Sequence, residues 1–364
     1  LSSYEKIIVR DGSADSRSWR QRLVDGWRSF TLGPYNTKDP VLAKMFGGTQ
    51  VSSGVAVNEM TALGVSAFFC GITTISQDIA SLPLFLFKRS PRQRFTAHPL
   101  HRILHDQPNP ETTSFQLRQA LMLNVLVGGN AFAEIERDNA GRPLHLWHIS
   151  PDRVTYIREG GRAAYRVRQS GGADVVLDYR DMIHLRGPSP DGLLGFDVIR
   201  LAKEALGLSI ASERFGAAFF GNGAHAGGLL SLPVGASLTP QARENLRQAI
   251  ENRHVGPDKA HRLMLLEQGA SYTATTTSPK DSQFQELRVH QVREIARFLR
   301  IPVSLLNDLE RSTWSNFEQQ QLQYYTQCIR PWLRNIEEEF DTKLVSPLER
   351  SQQHVEHVVE GFLR

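Results

Sequence analysis

One helix–loop–helix stretch, residues 278–345, constrains this sequence more than any other. Ser278-Pro279-Lys280-Asp281 is a helix start signal. A serine hydroxyl accepts from a free first-turn N–H, proline is pre-set for the first helical position, and Asp281 suits the positive end of the helix dipole. Phe284, Leu287, Ile295 and Phe298 then recur on one side, with Val292 and Leu299 adjoining. Glu286, His290, Arg293, Arg297 and Arg300 follow at steps of four, three, four and three, which makes one polar stripe. Ile301-Pro302 ends the helix, because proline lacks an N–H and biases the preceding residue away from helical backbone. An irregular loop follows from Val303 to Trp314. Ser315-Asn316-Phe317-Glu318 reads as a capping box. Leu322, Tyr325, Ile329, Trp332, Ile336, Phe340 and Leu344 then mark one face of a long helix, with a kink expected at Pro331. Such a helix, fed by a stiff loop, is not the core of a small enzyme.

The preceding chain divides by pattern. Residues 1–57 form an irregular arm, with Arg17, Arg20, Arg22 and Arg28 among Trp19, Trp27 and Phe30. Asn58 caps a helix expected to run to Ala80. Leu84–Phe87 is a short strand, and His98-Pro99-Leu100 opens a helix that ends near Gln107. Thr113–Val127 is helical and closed by Gly128-Gly129. Strands follow at 131–137, 144–149, 154–157, 164–169, 175–177 and 182–185. Helices followed by antiparallel strands give an α+β fold. Phe196–Asn222 is a long helix rich in alanine and glycine, residues that let helices pack closely. A strand at Gly227–Pro233, a helix from Thr239 to about Arg253, and strands at Arg262–Leu266 and Ala270–Thr275 make a compact insertion. In the tail, Val355, Val358, Val359 and Phe362 have helical spacing, and His354 and His357 read as a solvated face.

Composition narrows the chemistry. A net charge of +4 with 22% charged residues lacks the concentrated basic face of a tight duplex binder. Weak contacts suit a conduit better, because strong phosphate neutralisation would brake sliding DNA. Cys70 and Cys328 supply neither a disulfide framework nor a zinc set, and imply a reducing compartment. The most apolar region, Val65–Phe87, contains Gln77, Asp78 and Pro83, so it fails as a membrane span. Gly-Lys never occurs, which excludes a phosphate-binding P-loop and the ATP hydrolysis it supports. No G-x-S-x-G elbow is present, and Asp308 and Glu310 lack a base or nucleophile partner. His98, His101 and His105 share a helical face, with Asp106 next to the last, and imidazoles at these steps have the spacing of metal ligands. They support an alternative, a metal-dependent nucleic-acid-processing enzyme. Pro99 sets His98 at the helix entrance, however, and no further ligand announces itself, so no metal or cofactor is assigned.

A series of short motifs then carries a resemblance. They are His98-Pro99-Leu100, Pro108-Asn109, Gly129-Asn130-Ala131-Phe132, Gly141-x-Pro143, Asp181-Met182-Ile183-His184 and Asp281-x-Gln283-Phe284. Ile301-Pro302-x-x-Leu305-Leu306, Thr313-Trp314-Ser315-Asn316-x-Glu318-Gln319 and Pro331-Trp332-Leu333 complete the set. In this order they resemble the HK97-like portal proteins of tailed bacteriophages and gene transfer agents. The resemblance implies a portal-type fold: an arm at 1–57, an α+β wing at 58–195, stem helices at 196–222 and 278–301, and a clip at 223–277. A tunnel loop at 302–314, a long kinked wing helix at 315–345 and a reduced crown at 346–364 complete it.

It further implies a non-enzymatic, homo-oligomeric, dodecameric ring at one capsid vertex, present in the virion and in host cytoplasm during assembly, with no membrane contact. The ring's channel would pass double-stranded DNA during packaging and ejection. The large terminase ATPase and then a head–tail adaptor would dock on the clip, and the major capsid protein would be a further partner. Asn307, Asp308, Glu310 and Arg311 become the polar candidates for DNA contact, with Leu305, Leu306, Leu309 and Trp314 bracing the loop. The stripe of His290, Arg293, Arg297 and Arg300 would either face the channel or pair with acidic groups of a neighbour.

Overall fold

A computed structural model of the chain describes residues 51–169, 173–221, 228–231, 239–245, 248, 271–274, 281–307 and 314–360. Its described residues form helices and antiparallel sheets. Asn58 caps α1 (Glu59–Leu63), its side chain accepting from Thr61 N–H while Thr61 Oγ1 accepts from Asn58 N–H. The single helix expected from Asn58 to Ala80 is in fact two. Gly64 and Val65 interrupt it, and α2 (Ser66–Ser81) starts again from Val65 in extended backbone. α2 buries Phe68, Ile72, Ile75 and Ile79. It is followed by β1 (Leu84–Arg89) and β2 (Arg92–Arg94).

The expected helix after His98 is present, but its turn Arg102–Asp106 is a π-helix. α3 (Ser114–Gly128) has a capping box between Thr113 and Gln116 and ends at Gly129 with φ 74°. Glycine is needed there twice over. Left-handed backbone is costly for other residues, and a Cβ at Gly129 would sit 1.9 Å from Phe196 O.

The strands expected between 131 and 185 are all found: β3 (Asn130–Arg137), β4 (Pro143–Ile149), β5 (Val154–Glu159), β6 (Arg162–Val167), β7 (Val175–Asp178) and β8 (Met182–Arg186). They form two antiparallel three-stranded sheets, in orders β4-β3-β8 and β5-β6-β7. Phe132, Tyr156, Tyr165, Leu177 and Met182 make one core between them. A larger core joins α2, α3, β3 and β8 to the long helices α4 (Val198–Gly221), α5 (Asp281–Leu299) and α7 (Arg330–Leu344). Strands β9 (Gly228–Ser231) and β10 (Ser271–Ala274) pair antiparallel, and residues 240–245 are helical. The strand expected at Arg262–Leu266 lies outside the described residues, as do the arm at 1–50 and the start signal Ser278–Lys280.

The tail differs from expectation. Residues Gln353–His357 form a strand, β11, antiparallel to β1, so Val355 faces Leu86 and His357 faces Leu84. The two histidines are not a solvated face. His357 is 4% exposed and donates to Glu337 from its backbone N–H and Nδ1, at 2.9 and 3.0 Å. Helical spacing of valines was a coincidence of composition; the alternating burial of 353–357 is set by the β1 partner.

The long terminal helix is in three parts: α6 (Trp314–Tyr324), a π-helical turn at Tyr325–Ile329, and α7. The helix begins before Ser315, which lies in the first turn and not at the cap. Pro331 stands in the first turn of α7, just after the π turn. A proline removes an N–H from the ladder, and a wide turn absorbs the mismatch. The extra residue of that turn shifts the buried face. Tyr324, Cys328, Ile329, Leu333, Ile336, Phe340 and Leu344 are buried, whereas the predicted Leu322 is 55% exposed and Tyr325 and Trp332 are half-buried.

Candidate functional site

The geometry that matters centres on α4, α5 and the loop leaving α5. α4 and α5 approach closely at Gly216, where a Cβ would meet the Phe284 ring at 2.9 Å. Two turns on from Phe284, Gln291 of α5 is buried and its Nε2 donates to Ser212 Oγ at 2.9 Å and Leu208 O at 3.3 Å. Arg288 adds an ion pair to Glu213 at 3.6 Å. α5 packs its other contacts against α2. A Cβ on Gly71 would lie 2.3 Å from Leu299 Cδ1, so this glycine lets the helices close.

The buried face of α5 is therefore Gln291, Ile295, Ala296 and Leu299. Leu287 and Phe298, expected among the buried residues, are 36% and 42% exposed. On α4, Leu201, Leu208 and Phe215 are 47%, 43% and 52% exposed. They are seven residues apart, and two helical turns return nearly to the same side. Ala211 and Ala218 follow Leu208 and Phe215 by three residues each. The heptad spacing is present in the sequence, where the surrounding alanines and glycines mask it.

The polar stripe is partly as expected. His290 and Arg297 are exposed and both reach Glu294, His290 at 3.9 Å and Arg297 through an NH1–Oε1 contact. Glu294 thus gives Arg297 and His290 of the stripe a counter-charge within the same helix. Arg293 is half-buried. Arg300 leaves the helix: its φ is 59°, and Ile301 N–H reaches back to Ala296 O at 3.0 Å. This is a left-handed helix cap, so the stop begins one residue before Ile301-Pro302.

Val303–Leu306 then make a 3-10 turn, and Asn307 takes a left-handed φ of 62°, which asparagine tolerates. Leu305 and Leu306 pack partly buried against the large core, and Cys70 Sγ lies 3.8 Å from Leu305 O. The loop root is thereby held on α2. Asp308, Glu310 and Arg311 lie outside the described residues, with Leu309.

α7 is fixed to the β4-β3-β8 sheet by a buried polar network. His184 Nε2 lies 3.0 Å from Asn130 Oδ1, an oxygen that also accepts from Gly195 N–H at 2.8 Å. Nε2 therefore carries the proton and Nδ1 accepts from Tyr165 Oη at 3.1 Å. Burial, then the Arg186 and Lys343 cations, hold the imidazole well below its ordinary pKa. Lys343 lies 3.9 Å from Glu339 and 3.0 Å from the centroid of the Tyr179 ring, and burial lowers its ammonium to about 8.

His98 is not grouped with His101 and His105 as expected. Its Nδ1 accepts from Leu100 N–H at 3.1 Å and its Nε2 is 3.9 Å from Glu349. No helix among the described residues is long and apolar enough to cross a membrane.

This architecture matches known proteins. A family profile described as "Phage portal protein" matches residues 66–364. The portal protein of Enterobacteria phage HK97 is 30% identical over 359 residues, covering 96% of this chain and 82% of that protein. Among solved structures, an HK97 family phage portal protein from Corynebacterium diphtheriae superposes with TM-score 0.63 at 17% identity, covering 83% of this chain and 95% of that one. The neck of a native gene transfer agent particle computed with C12 symmetry contains a chain with TM-score 0.58 at 21% identity, covering 88% and 89%. The profile match over residues 66–364 and the 30% identity to the HK97 portal protein show that the chain belongs to the phage portal protein family.

Proposed function

We propose that twelve copies of this chain form a ring at one capsid vertex of a virion or gene transfer agent particle, and that double-stranded DNA passes through its channel. One observation carries the assembly: α4 presents Leu201, Leu208 and Phe215 to solvent along one side. In a single chain Leu201 and Leu208 keep nearly half of their surface exposed, and Phe215, whose ring centroid is 6.3 Å from that of Phe284, keeps about half of its own. Side-by-side packing of stems around a ring covers this stripe, and full burial of each such side chain contributes about 1.5–3 kcal/mol. The small Ala211 and Ala218 permit close approach. Twelvefold order draws support from the C12 symmetry of the similar neck particle.

In this ring α4 and α5 are the stem and residues 58–195 with 315–345 the wing. Residues 223–277 form the clip, on which the large terminase ATPase and later a head–tail adaptor dock. Residues 346–364 are the reduced crown, and within them Gln353–His357 pair as β11 with β1 of the wing. The major capsid protein surrounds the ring. Asn307, Asp308, Glu310 and Arg311 project from the rooted loop toward DNA. His290, Arg293, Arg297 and Arg300, with Glu294 as internal counter-charge, form a weakly charged surface of the channel or the subunit interface. The role is mechanical: the ring shapes a passage, and the docked ATPase supplies the work.

Light scattering of the purified full chain tests the interface. Wild type elutes as a ring-sized assembly, and Leu208→Asp or Phe215→Asp elutes as a folded, far smaller species. Unchanged assembly in both variants overturns the assignment of this stripe.

A further inference from the structure

The turn Arg102–Asp106 is absorbed neither by the stem nor by the loop, and its hydrogen bonding is unusual. In an α-helix, side chains five residues apart point about 140° apart. Asp106 would then face away from His101. Here the backbone bonds from i to i+5, with Gln107 N–H donating to Arg102 O at 2.8 Å. A turn bonded from i to i+5 holds more residues, which narrows the angle between residues five apart. His101, His105 and Asp106 consequently share one side, and a donor atom of each lies within 4.8 Å of the others.

The cluster is held from beneath. Phe85 of β1 stacks on His105 at 4.5 Å and on His101 at 5.6 Å between ring centroids. The two imidazoles are themselves 5.2 Å apart and within 19° of parallel. His105 Nδ1 is 2.7 Å from Asp106 Oδ1. His101 Nδ1 is buried and has no hydrogen-bond partner among the described residues. An unsatisfied buried polar atom costs about 1–3 kcal/mol.

Two imidazoles and a carboxylate are the donor set of zinc, cobalt and nickel sites. We propose that His101, His105 and Asp106 bind a divalent transition-metal ion of the zinc class. The three donors leave a coordination position for water, and Asp106 is exposed, so the ion enters from solvent. On binding, the proton shared by His105 Nδ1 and Asp106 Oδ1 passes to solvent and the ion takes its place between them. The set differs from the histidine trio suggested by sequence spacing, because His98 is engaged elsewhere and the π turn recruits Asp106.

Calorimetric titration of the metal-stripped full chain with zinc chloride tests this. Wild type takes up one ion per chain. His105→Ala and Asp106→Asn, both at solvent-accessible positions, weaken uptake at least about 10-fold with unchanged circular dichroism. His145→Ala, in the separate Glu136–Trp147 cluster, leaves it intact. Equal affinity and stoichiometry in wild type, His105→Ala and Asp106→Asn overturns the site, as does absence of uptake by wild type.

Discussion

The backbone N–H of His184 donates to Glu339 Oε1 at 3.0 Å, tying strand β8 to helix α7 across 155 residues of sequence. Both residues are buried, His184 at 1% and Glu339 at 9% exposure. Glu339 also stands 3.9 Å from Lys343 and from Arg186. Glu339→Ala therefore strands a buried donor and removes the counter-charge of a buried ammonium. The expected cost is about 2–4 kcal/mol. Glu339→Gln keeps an acceptor and costs less. Urea unfolding midpoints of the two variants check the order.

The buried histidines predict acid sensitivity. Burial is the main cause that lowers both His184 and His357 from the ordinary 6.5. Between the lowered value and 6.5 the unfolded chain binds protons that the fold does not. Stability is then full above 6.5 and falls as pH drops below it. Asp78, Asp197 and Asp341, raised by burial from 3.8, act in the opposite sense nearer the carboxylate range. The melting temperature is expected to be lower at pH 5.5 than at 7.5, and His357→Gln narrows the gap. Equal melting at the two pH values contradicts this.

Two glycines with nearly the same backbone separate strain from crowding. Gly129 has φ 74° and a Cβ would lie 1.9 Å from Phe196 O; Gly141 has φ 78° and nothing within 4 Å. Gly141→Ala pays only the left-handed penalty, about 1–2 kcal/mol. Gly129→Ala adds a backbone clash and costs about 2–5 kcal/mol. Thermal unfolding of both variants measures the difference.

What the sequence displays is local. Thr113, Gly128-Gly129 and the alternation in 131–185 mark elements whose signals lie within a few residues of their effects, and these boundaries agree closely with the structure. Partners distant in sequence leave no such mark. β11 is a strand because β1 offers it an edge, although its valines have helical spacing. Glu339 and Lys343 look like the solvated side of a helix until the sheet covers them. The π turns at 102–106 and 325–329 each shift a face by about one residue, which moved burial from Tyr325 to Tyr324 and brought Asp106 beside His101. On α4, Leu201, Leu208 and Phe215 were legible by spacing, but only their exposure distinguishes an assembly face from a core face.

The loop beyond Asn307 is predicted to act on DNA and not on assembly. Alanine at Asp308, Glu310 and Arg311 together leaves the ring mass unchanged, because the loop root at Leu305 and Leu306 remains packed. The yield of DNA-filled particles falls. Scattering mass and packaged-DNA measurements on the same variant separate the two effects, and a loss of ring formation contradicts the assignment.

The central claim is most directly tested by end-on cryo electron microscopy of the purified full chain. The account predicts closed rings with twelvefold symmetry, α4 stems side by side around a hole wide enough for duplex DNA, and Leu208 covered by the adjacent subunit. Compact particles without a central hole, or rings whose α4 stripes remain exposed to solvent, would contradict it.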